Sequence, residues 1–324
     1  MYVSKGRTFA TLHDYFDHIS ETLNFPRAHE YFKSDWVISD GLKLHVDVYE
    51  YGKNAPTVVF IPGTAIYALC YGELLLKIGQ LGYNVVGFDP RGHGQSEGVR
   101  GDYTISEIMK DAGNVISYAI EKFNPRVSLM GSSQGGIVAF YMAAKDERLN
   151  SVICQNFADL TSKDTLQLAR HPRLFKYIKL LIAKAGGILP NAQIPVTSYI
   201  DLDKIPVKYF GSARNFMDSD PLCLKTISLH ALQSLAHTAM EKPVEAINVP
   251  VMVLQGSADS IFPVSYTQKI FDKIRCKKKF SLFEGRSHAV LHEDSDAVVV
   301  EVAKWLHEIY PISYMHRLEA DNVA

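Results

Sequence analysis

Cysteine is scarce: four residues in 324, Cys70, Cys154, Cys223 and Cys276, lie far apart with no CxxC pair. That spacing supplies neither a disulfide framework nor a zinc knuckle, and a reducing setting is expected. Long apolar runs are also missing. No stretch reaches the roughly 18 consecutive apolar residues that a membrane-spanning helix needs. Met1 to His13 lacks the basic segment and apolar run of a secretory signal, so a cytoplasmic location is expected. Neither sign of charge dominates: the formal net charge is -1, which argues against a nucleic-acid partner held on a basic face. Long charge blocks are absent and aromatic residues make up 11%, so a disordered chain is excluded.

What is present is an alternation of strands and helices. Residues 8–24 read as a helix ending before Pro26, and Trp36–Ser39 with Leu42–Tyr51 as a paired hairpin. Thr57–Ile61, Asn84–Phe88, Arg126–Met130, Ser151–Cys154 and Pro250–Leu254 are short runs rich in β-branched residues, as buried parallel strands should be. Lys279–Phe283 is expected to be the last strand. Thr104 and Glu107 form a capping box before Ile105, Ile108, Met109, Ala112, Val115, Ile116 and Ala119, which share one helix face. Val298, Val302, Trp305 and Leu306 repeat that spacing near the C-terminus.

The expected class is therefore α/β, a mostly parallel sheet with helices on both faces. Residues 1–33 read as an N-terminal helical extension, 34–157 and 249–310 as the core, and 311–324 as a tail. Between them, 158–248 read as a helical cap inserted after the sixth strand, with strand character returning only at Val249.

Gly131-Ser132-Ser133-Gln134-Gly135 joins an apolar strand to an apolar helix. A nucleophile on so sharp a turn needs small neighbours two positions away, which Gly131 and Gly135 supply. The turn puts the Ser133 hydroxyl at the start of a helix, where the Gln134 N–H points toward developing negative charge. A serine hydroxyl also needs a base, and the base an acid to hold its tautomer. Asp259 and His288 each follow a predicted strand, on the sheet edge where open α/β folds bind ligands. The chain order Ser133, Asp259, His288 fits the architecture. Each partner has a plainer reading: Asp259 as a turn residue before Pro263, and His288 as a surface histidine. His292 is the rival base and Asp159 the reserve acid. His288 and His292 lack a convincing third ligand for a metal, and no cofactor is required.

These residues resemble the α/β-hydrolase superfamily, in its monoacylglycerol lipase, lysophospholipase and serine aminopeptidase branch, over roughly residues 34–310. Asp89-Pro-Arg-Gly-His-Gly-Gln-Ser96 is similar to that family's D-x-R-G-H-G-x-S loop, and Gly256–Pro263 to its G-x-x-D-x-I-x-P acid loop. The resemblance implies that His93 is structural and that Thr64 gives the second oxyanion N–H beside Gln134. Two departures stand out. Pro62 replaces the usual histidine before the glycine of Pro62-Gly63-Thr64, and Ser132 and Gln134 replace the elbow's common His and Met.

The leading expectation is a serine hydrolase acting on a monoacylglycerol, lysophospholipid or similar single-chain ester. An aminopeptidase or thioesterase on the same triad, and a non-catalytic ligand binder, are the alternatives. Asp201, Asp203, Asp218 and Asp220 keep the aminopeptidase open, since a lid carboxylate could hold a free amine. Leu174, Tyr177, Ile178 and Leu181 are the cap candidates for an acyl tunnel, with gluing the cap to the core as the other reading. Lys163, Arg170, Arg173, Lys176, Lys179 and Lys184 make this stretch basic, which fits a solvated face or transient contact with an anionic membrane surface. The oligomeric state is left open.

Overall fold

The computed structural model describes residues 1–168 and 189–311. The expected hairpin pairs β1 (Lys33–Ser39) with β2 (Leu42–Tyr49). Its two turn residues, Asp40 and Gly41, both have positive φ, the turn that matches the twist of the flanking strands. The apolar runs that follow are β3 (Thr57–Ile61), β4 (Asn84–Phe88), β5 (Val127–Ser132), β6 (Ser151–Gln155), β7 (Val251–Gly256) and β8 (Lys278–Phe283). They form one eight-stranded sheet in the order β1-β2-β4-β3-β5-β6-β7-β8. β2 runs antiparallel to β1 and β4, and every other pairing is parallel. Strands β3 to β7 are buried along their whole length, as a sheet covered on both faces demands.

The helices α1 (Leu12–Leu23), α2 (Gly72–Gln80), α3 (Ile105–Lys122) and α4 (Gln134–Ala143) follow in chain order. Thr104 and Glu107 close the capping box on α3, and all seven apolar residues of its predicted face are buried. Such a cap contributes about 1 kcal/mol. α3 packs on α4, while α2 packs on the C-terminal helix Ser295–Ile309. Every residue of α4 is buried, which suits the helix that carries Gln134 into the site.

Three differences from the sequence reading stand out. The first helix starts at Leu12 instead of residue 8, because Arg7–Phe9 pairs with Tyr2–Ser4 as a small hairpin and Thr11 caps the helix. Helix α2 was not foreseen. The insertion also contains strands: Gln193–Pro195 pairs antiparallel with Thr226–Ser228, well before Val249. This strand pair is fastened to the core, since Leu224 N–H donates to Ala65 O and Ser228 N–H to Gly101 O. Gly101 is needed there, because a Cβ would lie 2.6 Å from Thr226 O. Leu174, Tyr177, Ile178 and Leu181 lie outside the described residues, as do Arg170, Arg173, Lys176, Lys179 and Lys184. No helix among the described residues is long and apolar enough to cross a membrane.

Candidate active site

Ser133 follows the last residue of β5 and caps α4, with φ 52° and ψ -113°. An L-residue held there costs about 1–3 kcal/mol, so the surroundings must impose it. They do so by close approach. A Cβ on Gly131 would sit 2.0 Å from Gly135 O, and one on Gly135 would sit 2.3 Å from Ile61 O. The Ser133 N–H is tied to Gln155 O at 2.8 Å, and Ile137 N–H donates back to Ser133 O. The first N–H groups of a helix have no intrahelical partner, so α4 presents unsatisfied donors beside the hydroxyl.

The loops after β7 and β8 bring Asp259 and His288 to the same sheet edge. His288 Nε2 lies 3.0 Å from Ser133 Oγ, and Nδ1 lies 2.9 Å from Asp259 Oδ2. A carboxylate can only accept, so Nδ1 carries the proton and Nε2 offers a lone pair to the serine. The plainer reading of Asp259 holds as well, on its other oxygen. Oδ1 accepts the N–H groups of Ile261 (2.8 Å) and Phe262 (2.9 Å) and shapes the turn before Pro263. Burial pushes the Asp259 carboxyl up. The His288 charge and hydrogen bond, with the Phe262 and Ile261 N–H groups, outweigh that and hold it below its usual 3.8. The Phe262 ring stacks parallel to the imidazole and limits its rotation.

Gln134 is buried at the start of α4, and its Oε1 accepts from Thr64 Oγ1 (3.0 Å) and Tyr103 OH (2.9 Å). Thr64 is thereby fixed against the residue that follows Ser133. The rival groups are placed elsewhere. His292 packs on Tyr71 with ring centroids 4.3 Å apart, and burial pushes its pKa down to about 4. Asp159 Oδ1 accepts from the Thr161 N–H and hydroxyl in a local turn. His93 is buried under Tyr103, with Nδ1 3.0 Å from Arg91 O, and burial lowers its pKa to about 4. The loop around it is a scaffold: Asp89 accepts the N–H groups of Ala68 and Gln95, while Arg91 pairs with Asp111. Of the cap carboxylates, Asp220 is buried against Tyr67 OH at 2.7 Å, Asp203 pairs with Arg214, Asp201 with Lys204, and Asp218 is exposed.

Two site residues escaped the sequence reading. The Gln155 amide accepts from Ser132 Oγ (2.6 Å) and Ser133 N–H (3.1 Å) and donates to His288 O (3.0 Å), joining the serine turn to the histidine loop. Asn156 Nδ2 donates to Asp259 Oδ2 at 2.7 Å from a backbone with φ 62°. Their signal was position alone: both stand at the C-terminal end of β6, on the edge that carries Ser133. A second cluster also went unseen. Ser34 Oγ lies 2.7 Å from His45 Nε2, while His45 Nδ1 lies 3.4 Å from Asp89 Oδ2.

Ser133 stands where two cavities meet. One, of about 150 Å³, runs between Thr64, Gln134 and the apolar residues Ile137, Leu160, Leu232 and Leu235. The other, of about 80 Å³, lies on the His288 side. No carboxylate other than the buried Asp259 behind His288 faces this region: among the described residues, neither wall includes an Asp or Glu.

Comparison with known proteins identifies the family of the chain. A family described as "Serine aminopeptidase, S33" matches residues 52–295. A monoglyceride lipase homolog of Monkeypox virus is 29% identical over 266 residues, covering 77% of this chain and 88% of that protein. The monoglyceride lipase of Homo sapiens is 28% identical over 286 residues, with 83% and 88% covered. The crystal structure of a Paleococcus ferrophilus monoacylglycerol lipase superposes with a TM-score of 0.66 at 24% identity, over 82% of this chain and 99% of that one. The family match spans strands β3 to β8, the serine turn and the acid and histidine loops, and the chain accordingly belongs to the serine aminopeptidase S33 family of α/β-hydrolases.

Proposed function

We propose that the protein is a serine hydrolase cleaving carboxylic esters that carry one hydrocarbon chain, the class containing monoacylglycerols and lysophospholipids. The observation that carries this reading is Ser133 Oγ, 3.0 Å from His288 Nε2, at the mouth of an apolar cavity. Similarity to monoglyceride lipases supports it too. His288 takes the Ser133 proton as Oγ attacks the ester carbonyl, and ionised Asp259 steadies the imidazolium. The N–H groups of Thr64 and Gln134 hold the oxyanion, each worth about 3 kcal/mol of barrier. His288 then protonates the leaving alcohol, and water, activated by the same imidazole, hydrolyses the acyl-enzyme.

The aminopeptidase alternative loses support, because a substrate ammonium would find no carboxylate on the described walls of either cavity. The test is a series of p-nitrophenyl esters of increasing acyl length set against amino-acid p-nitroanilides. Rising kcat/KM with chain length is expected, and preference for the anilides would overturn the reading.

A further inference from the structure

The two cavities at Ser133 differ in one respect that assigns them. His288 lines the smaller cavity and not the larger one. In the first half-reaction the Ser133 Oγ–acyl bond forms, the acyl–O(alkyl) bond breaks, and the proton held on His288 Nε2 passes to the departing oxygen. That oxygen must therefore lie on the imidazole side. The smaller cavity takes the alcohol half of the ester, and the larger one takes the acyl chain. The assignment rests on the ester-hydrolase reading above.

The walls of the smaller cavity are apolar. The cap helix Ala213–Ser219 turns Phe216 and Met217 into it, Leu202, Ile205 and Val207 close one side, and Leu291 another. Most polar groups that reach it are already engaged. Tyr71 OH donates to Ser132 Oγ, Ser132 Oγ to Gln155 Oε1, and Thr64 Oγ1 to Gln134 Oε1. Among the described residues, and apart from Ser133 and His288 themselves, His292 is the remaining polar wall residue, with a single imidazole to offer. A glyceryl leaving group would bring two further hydroxyls, each both donor and acceptor, into a space where Tyr71 OH and Thr64 Oγ1 have spent their hydrogens and can only accept. A buried hydroxyl without a partner is costly, whereas carbon at the same place gains from burial.

We propose that this cavity is a leaving-group subsite for a plain hydrocarbon alcohol, aliphatic or aromatic, and that it discriminates against polyol leaving groups. Among the esters proposed above, those of a short apolar alcohol are then preferred over glyceryl esters, and reaction with water releases a carboxylic acid and an apolar alcohol.

Propyl octanoate and 1-octanoylglycerol test this directly, because they share the acyl half and the three-carbon leaving group and differ by two hydroxyls. The propyl ester should show kcat/KM at least about tenfold higher, the scale of one unpaired buried hydroxyl, with benzyl octanoate also cleaved. Glycerol is intrinsically the better leaving group, so such a preference must come from the protein. Equal rates, or preference for the glycerol ester, would overturn the proposal while leaving the ester-hydrolase reading intact. Failure to cleave any of the three would overturn that reading as well. Val207→Thr, which adds a hydroxyl to the wall at constant size, should narrow the gap through KM. Leu235→Thr in the acyl cavity should leave the ratio unchanged. The reverse pattern would contradict the assignment of the two cavities.

Discussion

Among the described residues two Ser-His-Asp chains occur, and the serine–histidine distance does not single out the one at Ser133. Ser34 Oγ approaches His45 Nε2 at 2.7 Å, more closely than the 3.0 Å between Ser133 Oγ and His288 Nε2. Everything around the two serines differs. Ser34 is an exposed residue near the start of the edge strand β1, with extended chain after it and no helix to offer N–H groups. Ser133 is held at φ 52° on a turn that opens α4 and borders two cavities. The histidines differ too. Burial pulls the His45 pKa down, but the Asp89 hydrogen bond and the charges of Asp47 and Asp89 overcome it and leave it above 6.5. Asp259 instead divides its oxygens between His288 and two backbone N–H groups. A nucleophile is made by backbone strain, a helix start and an open pocket, and the three residue types alone do not supply it.

The sharpest way to break the comparison is to remove each serine. Ser133→Ala and His288→Ala should each lower kcat by at least about 10⁴-fold, with circular dichroism unchanged. Ser34→Ala should stay within about twofold of wild type, and an equal loss there would contradict the assignment. Asp259→Asn should cost about 10³–10⁴-fold in kcat through the wrong tautomer. Near-normal turnover in that variant would remove Asp259 from the relay.

Smaller effects sharpen the contrast in backbone and charge. Glycine tolerates the Ser133 conformation and alanine does not, so Ser133→Gly should unfold at higher denaturant than Ser133→Ala by about 1 kcal/mol. Equal stability would mean that the turn is not strained. The histidine contrast is read from pH. A folded-state pKa raised above 6.5 gives stability that is complete below 6.5 and fades as pH climbs through the raised value. His45→Gln should therefore cost more at about pH 5.5 than at about pH 9 in urea titrations. A cost that grows with pH would contradict the raised value.

Much of the core was legible in the sequence because local and long-range signals agree there. β3 and β4 are β-branched runs bounded by turn residues, and their observed limits match the reading. α3 carries its own cap and a clean apolar face. Helix α2 gave no such sign: it starts at Gly72, Tyr71 provides no side-chain cap, and it spans nine residues. Packing on the C-terminal helix supports it instead. The three-residue strands of the cap have no periodicity to read, and their pairing depends on contacts with Ala65 and Gly101. In the site, Ser133, Asp259 and His288 stood out because each follows a strand on one sheet edge. Gln155 and Asn156 did not, because their link to the site runs to His288 and Asp259, more than a hundred residues away. Ser34 and His45 were invisible for a different reason, as their link depends on the register of β1 against β2.

Labelling with an alkyl fluorophosphonate, followed by peptide mapping, tests most directly whether the surroundings of Ser133 make it the nucleophile. One adduct is expected, on Ser133, absent in His288→Ala and unaffected in Ser34→Ala. An adduct on Ser34, or an unlabelled Ser133 in the folded wild-type protein, would contradict the account.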